Sequence, residues 1–92
     1  MWVVYILRCA DGSLYIGQTN DLEKRVAKHN DGRAAAHTAS RRPVHVVYSE
    51  EHRSLAESIG RERQLKRWTR AKKEALVAGD LVTLKRPRAA CK

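Results

Sequence analysis

The sequence predicts an α+β fold: a small three-stranded, mainly antiparallel sheet flanked by helices, in the order β-β-α-β-α-α. Three observations carry this. Residues 2–9, WVVYILRC, form an almost continuous apolar run rich in β-branched and aromatic types, the pattern of a strand covered on both faces. Asp11-Gly12 follows it, and both residues tolerate the positive φ that a tight hairpin turn demands. Beyond the return strand the apolar spacing changes to the helical period, with one further strand-like run between helices.

Taken in order, the return strand covers Leu14 to Gln18, LYIGQ. Asn20 and Glu23 have the spacing of a helix N-cap and its N3 partner. They open a helix to about Asn30, where Asp31-Gly32 stops it. Residues 31–43 read as a loop rich in Ala and basic residues, closing on Arg41-Arg42-Pro43. A third strand runs from Val44 to Ser49. A second helix fills roughly 53–67, and Thr69 caps a third that ends near Gly79. Residues 85–92 contain Pro87 and lack periodicity, so the chain divides into one domain over 1–84 and a basic tail over 85–92.

Composition narrows the class. At 92 residues with 42% apolar content, the chain suits one globular domain with a modest core and no deep substrate vault. The apolar run that holds Val3 to Leu7 is far short of the ~20 residues a bilayer span needs. The start of the chain has no signal-peptide pattern. Two cysteines, Cys9 and Cys91, are too few and too far apart for a disulfide scaffold or a zinc site. A cytoplasmic protein of bacterial type, without a membrane partner and monomeric by default, is expected.

The net charge of +9 is unevenly placed. Residues 1–52 carry 7 basic and 6 acidic side chains, whereas residues 53–92 carry 12 and 4. Such a block of positive potential attracts polyanions, nucleic acid above all. A solvated helical face with a basic tail would have the same composition. Charge therefore names a partner class and no chemistry.

Several polar residues fall where apolar ones belong. At about 100° per residue, Glu62 lies within the arc that Leu55, Ile59 and Leu65 define on the second helix, whereas Glu57 points to solvent. An inward carboxylate needs a cation, either a metal or a neighbouring Arg in a structural ion pair. On the first helix Leu22 and Val26 define the buried side, and Arg25 and His29 meet there as i, i+4 neighbours. One inward His is usually a satisfied core residue. An inward Arg, His and Glu in so small a core suggest a polar site.

The tyrosines of the hairpin supply its wall, depending on register. A loop of Asp11-Gly12 alone pairs Tyr15 with Arg8 and puts it on the face opposite Tyr5. A three-residue loop or a bulge pairs Tyr15 with Cys9 and puts it on the same face as Tyr5. Gly17 suits a bulge or the close approach of another group. Two core tyrosines remain the plain alternative.

These residues match a known pattern. VVY at 3–5 and YIG at 15–17, followed by TNDLEKRVAKHN at 19–30, resemble the GIY-YIG nucleases. RRPVHVVYSE at 41–50 and ERQLKRWTRAKKEAL at 62–76 resemble the small stand-alone bacterial members. The resemblance covers most of the chain, and it implies that family's three-stranded sheet flanked by helices. It marks Tyr5 and Tyr15 as the signature tyrosines, Arg25 and His29 as the helix pair, and Glu62 as the glutamate that binds the divalent metal. Two departures stand out. Val3 occupies the place of the first signature Gly, and no Asn follows Asn30, although several members use one after the metal Glu.

The resemblance implies a metal-dependent endonuclease that hydrolyses phosphodiester bonds in DNA, with RNA left open. Repair, recombination or the processing of unusual structures are the expected settings. Glu62 would hold one Mg²⁺ or Mn²⁺, whose Lewis acidity suits a phosphate and its leaving oxygen. Arg25 would pair with non-bridging oxygens. A phenol's ordinary pKa near 10 is too high for an efficient base, so Arg25 and the metal would have to lower it. Tyr15 is favoured as base, Tyr5 as its orienting partner, and His29 to hold the water or relay a proton.

Arg41, Arg42, Arg61, Arg63, Lys66, Arg67, Arg70, Lys72 and Lys73 are candidates for backbone-phosphate contacts. Trp68 reads as a core plug in preference to a base-stacking platform. A non-catalytic nucleic-acid-binding module with a decayed site is the main rival reading. A small protein that docks an acidic partner is a weaker one.

Overall fold

The computed structural model describes residues 1–79. The expected domain end at residue 84, the tail over 85–92 and Cys91 lie outside the described residues.

The first apolar run forms β1 (Trp2–Arg8) and the return strand β2 (Leu14–Thr19). The first helix is α1 (Leu22–Asn30), followed by a short α2 (Ala36–Ala39) and the last strand, β3 (His45–His52). The chain then forms α3 (Leu55–Arg67) and α4 (Arg70–Ala78). The sheet order is β2-β1-β3, with both pairings antiparallel. The apolar run is therefore the central strand, and Val4, Tyr5, Ile6 and Leu7 are all buried on its two faces.

The two faces bury different sets. Val4, Ile6 and Ile16 pack with Leu65, Trp68, Leu76 and Val77 under α3 and α4. Tyr5, Leu7, Cys9 and Val44 pack with Tyr15, Leu22 and Val26 under α1. Trp68 is half-buried and packs against this core. Leu55 is exposed, so the inward stripe of α3 is set by Ser58 and Leu65, and Glu62 lies between them at i+4 of Ser58. The expected anchor at Leu55 fails, since the first turn places Ser58 inward instead, while Glu62 is half-buried on the inward side.

Local chemistry accounts for the ends. Asp21, not Asn20, caps α1, with its carboxylate accepting from the Lys24 amide. That is one residue later than the sequence suggested. Thr69 caps α4 by accepting from the Lys72 amide, and Gly79 closes it at φ 74°. The hairpin loop is the three residues Ala10 to Gly12: Cys9 donates to the Ser13 carbonyl, and Gly12 takes φ 85°. Tyr15 therefore pairs with Leu7, neither with Arg8 nor with Cys9. The loop begins one residue earlier than expected, yet its odd length puts Tyr15 on the face of Tyr5.

Residues 31–43 are not a plain loop, because α2 interrupts them. They are tied down at both ends. The Asn30 amide donates to the Val44 carbonyl while its oxygen accepts from the Val44 amide, and Arg42 donates to the Ala39 and Asn30 carbonyls. The Arg8 guanidinium forks onto Glu74 at 2.6 and 2.7 Å and so fastens α4 to the hairpin. No helix among the described residues is long and apolar enough to cross a membrane.

Candidate active site

Tyr5 lies directly opposite Gly17 in the β1–β2 ladder. Its ring leans over that glycine so closely that a Cβ at residue 17 would stand 2.5 Å from the Tyr5 hydroxyl. The missing side chain lets the phenol reach across β2. There the Tyr5 hydroxyl meets His29 Nε2 at 3.0 Å, and the Tyr15 and His29 rings lie edge to face with centroids 5.0 Å apart. β1, β2 and α1 thus converge two phenols and an imidazole on one face of the sheet.

His29 Nδ1 is occupied as well, at 2.8 Å from Thr38 Oγ1 of α2. Thr38 is fully buried, and sequence reasoning missed it. Both ring nitrogens of His29 are thus engaged by partners within the protein.

Burial is the main influence on the ionisable groups here. It pushes the Tyr5 phenol well above its ordinary value, with the neighbouring Tyr15 adding to the effect and Arg25 opposing it. Burial also lowers the His29 imidazole, and the Arg25 charge lowers it further. His29 is therefore neutral in the folded protein at neutral pH. The unfolded chain takes up a proton near pH 6.5 while the folded one resists, so stability is intact above that pH and falls as pH drops below it. Glu50 and Glu74 act in a separate, more acidic window. The carboxylate of Glu74 is held low by the fork from Arg8, and hydrogen bonds from Tyr48, Arg61 and His52 outweigh the burial of Glu50. The urea midpoint is expected to fall between pH 7 and pH 5, with a shallower fall in His29→Gln. An equal slope in the variant would show that this imidazole is not the group responsible.

Arg25 is half-buried on α1, and its charge acts on both Tyr5 and His29. Among the described residues it has no ion-pair partner. Beside it, Thr19, Asn20, Asp21, Lys24 and Lys28 line an open cleft with it. Glu62 belongs to α3, which packs against β2 and β1 from the other face. Its charge still bears on the Tyr5 hydroxyl. Its side chain is 18% exposed and its carboxylate pairs with Lys66 at 2.9 Å, so a lysine takes the place expected for a neighbouring Arg. No group of three or more His, Cys, Asp or Glu able to hold a metal ion occurs among the described residues.

The basic candidates separate into two sets. Arg41 pairs with Asp11, Arg61 with Glu50, and Arg70 with Glu74 and the Gly12 carbonyl, while Arg42 braces the α2 segment. Lys66 is committed to Glu62, and Lys72 lies 4.3 Å over the Trp68 ring. Arg63 and Arg67 are exposed on α3, and Lys73 is half-buried on α4.

Three similarities complete the description. A family model described as the GIY-YIG catalytic domain matches residues 1–75. UPF0213 proteins of Staphylococcus aureus, strains Mu3 and Mu50 among them, are 49% identical over 74 residues, which cover 80% of this chain and 90% of theirs. The solution NMR structure of the UPF0213 protein BH0048 from Bacillus halodurans has a TM-score of 0.55 at 40% identity, covering 85% of this chain and 84% of that one.

Proposed function

The chain belongs to the GIY-YIG family, and on that premise we propose that it is a metal-dependent endonuclease hydrolysing phosphodiester bonds in DNA, in repair, recombination or the processing of unusual structures. The observation that carries this is Arg25: a half-buried guanidinium without a carboxylate partner among the described residues, set beside two phenols and a neutral imidazole. A cation held ready in such a place suits an external anion, and its fork geometry suits two phosphate oxygens.

The donors fit a cation completed by substrate. Mg²⁺ commonly takes one or two carboxylates and fills its remaining sites with water and phosphate oxygens, and Glu62 offers one carboxylate. When bound, the metal would supply Lewis acidity at the phosphate and its leaving oxygen. Tyr5 is a poor choice for the base, since burial raises it and leaves it only 1% exposed. Tyr15 is less buried, so it takes the water-side role, with Tyr5 and His29 holding the wall behind it. Arg63, Arg67 and Lys73, with Lys24 and Lys28 along the α1 cleft, would follow the flanking backbone.

A second reading, a binding module with a decayed site, is favoured by the Lys66 claim on Glu62 and by the missing downstream Asn. Supercoiled plasmid and branched duplexes incubated with Mg²⁺ or Mn²⁺, beside EDTA controls, separate the two. Nicking that needs the cation is expected. DNA binding that weakens from 50 to 200 mM salt without any nicking would leave the binding module as the better account.

A further inference from the structure

Three buried hydroxyl and imidazole groups stand in one line: Tyr5 at 3.0 Å from His29 Nε2, His29 Nδ1 at 2.8 Å from Thr38 Oγ1, and Thr38 at 3.2 Å from the Ala35 carbonyl. Neutral imidazole carries one proton, so the line can be filled in two directions. In one, the Thr38 hydroxyl donates to Nδ1 and Nε2–H donates to the tyrosine oxygen. The hydrogen of the Tyr5 hydroxyl, on a residue only 1% exposed, is then left without an acceptor in the line. Arg25 beside it has only donors to offer, and among the described residues the hydroxyl's recorded hydrogen bond is to His29 alone. In the other direction Tyr5 donates to Nε2, Nδ1–H donates to Thr38, and Thr38 donates to the Ala35 carbonyl. Every hydrogen then has an acceptor, and a buried donor left unmade is the costlier outcome.

We propose that Thr38 is a positioning residue that fixes His29 as the Nδ1–H tautomer, so that Nε2 presents its lone pair to the Tyr5 hydroxyl. The short helix α2 exists in that role to bring one hydroxyl under the far nitrogen of the imidazole. Its backbone is held for the purpose by Arg42 and Asn30, which pin the segment at both ends. Nε2 is thereby kept open to accept the hydrogen bond of the Tyr5 hydroxyl, and an imidazole formed as the other tautomer could not accept it. The consequence for cleavage rests on the endonuclease reading, whereas the tautomer itself does not.

The test is a two-bond ¹H–¹⁵N correlation spectrum of uniformly labelled protein, which distinguishes protonated from unprotonated ring nitrogens. The wild type is expected to show His29 protonated at Nδ1 alone. Thr38→Val should populate the Nε2–H form, and Thr38→Ser should restore the wild-type pattern. Cleavage should fall about 10–100-fold in Thr38→Val and recover in Thr38→Ser, the scale usual for losing an outer-shell partner of a functional His. An Nε2–H tautomer in the wild type overturns the proposal without any variant having to fold. So does an unchanged tautomer in Thr38→Val, even if cleavage falls, because the loss would then be structural. A wild type that carries the Nδ1–H tautomer and cuts no DNA supports the positioning role and counts against the nuclease alone.

Discussion

Glu62→Ala is expected to lower cation-dependent DNA cleavage by about 10²–10³-fold, the loss usual when one group that stabilises transition-state charge is removed. Folding stability should stay within about 1 kcal/mol of the wild type, because the interaction lost within the protein is one i, i+4 pair with a half-exposed lysine. That contrast distinguishes the two fates of an inward glutamate. A carboxylate whose task is to neutralise Lys66 would move stability a little and leave cutting alone. A carboxylate that holds the cation would do the reverse. Lys66→Ala sharpens the comparison, since the ammonium at 2.9 Å competes with any metal for the same oxygen. Removing it should let cleavage begin at lower Mg²⁺ concentrations. If Glu62→Ala cuts like the wild type, Glu62 is Lys66's partner and nothing more, and the metal loses its only proposed protein ligand.

The parts of the fold legible in the sequence are those with local causes. The positive-φ glycine at Gly12, the cap at Thr69 and the stop at Gly79 depend on side chains or backbone freedom within a few residues, and each is where it was expected. The apolar run of β1 announced a strand buried on both faces, and it is the central strand. Local errors are one-residue shifts, as at the Asp21 cap, and the larger ones arise where the answer depends on distant contacts. Leu55 has the right spacing for the core yet is exposed, while Ser58, three residues on, is fully buried in its place. α2 spans four residues and its N-cap, Ala35, makes no side-chain cap, so no local signal announces it.

The candidate site shows the same division. Arg25 and His29 share a helix face by spacing alone, and Tyr15 needed only the parity of the loop. Thr38 could not be found in this way, since its value lies in folding back nine residues onto His29. A count of basic residues likewise cannot tell Arg63, exposed, from Arg61, which donates to Glu50 and Gln64 and lies 5.3 Å from the Trp68 centroid. Charge is a property of composition, while its availability is decided by the partners that folding supplies.

Gly17→Ala should combine a loss of about 1–3 kcal/mol in stability, typical of overpacking, with a fall of about 10²-fold in cleavage from misplacing a group by about 1 Å. The backbone is not the reason, because Gly17 is absent from the positive-φ glycines. Space is. The new Cβ would lie 2.5 Å from the Tyr5 hydroxyl and 2.7 Å from the ring carbon that bears it, closer than real contacts allow. The ring is packed with Leu7, Cys9 and Val44, so it cannot swing away freely, and the 3.0 Å bond to His29 is the first thing to be lost. Tyr5→Phe tests the cause. Taking away the hydroxyl removes the nearer clash, so Gly17→Ala should cost less stability in that background than in the wild type, and a double-mutant cycle should show coupling. Equal costs in both backgrounds would mean that β2 simply shifts to admit the methyl group, and the glycine of this strand would then have no part in aiming the phenol.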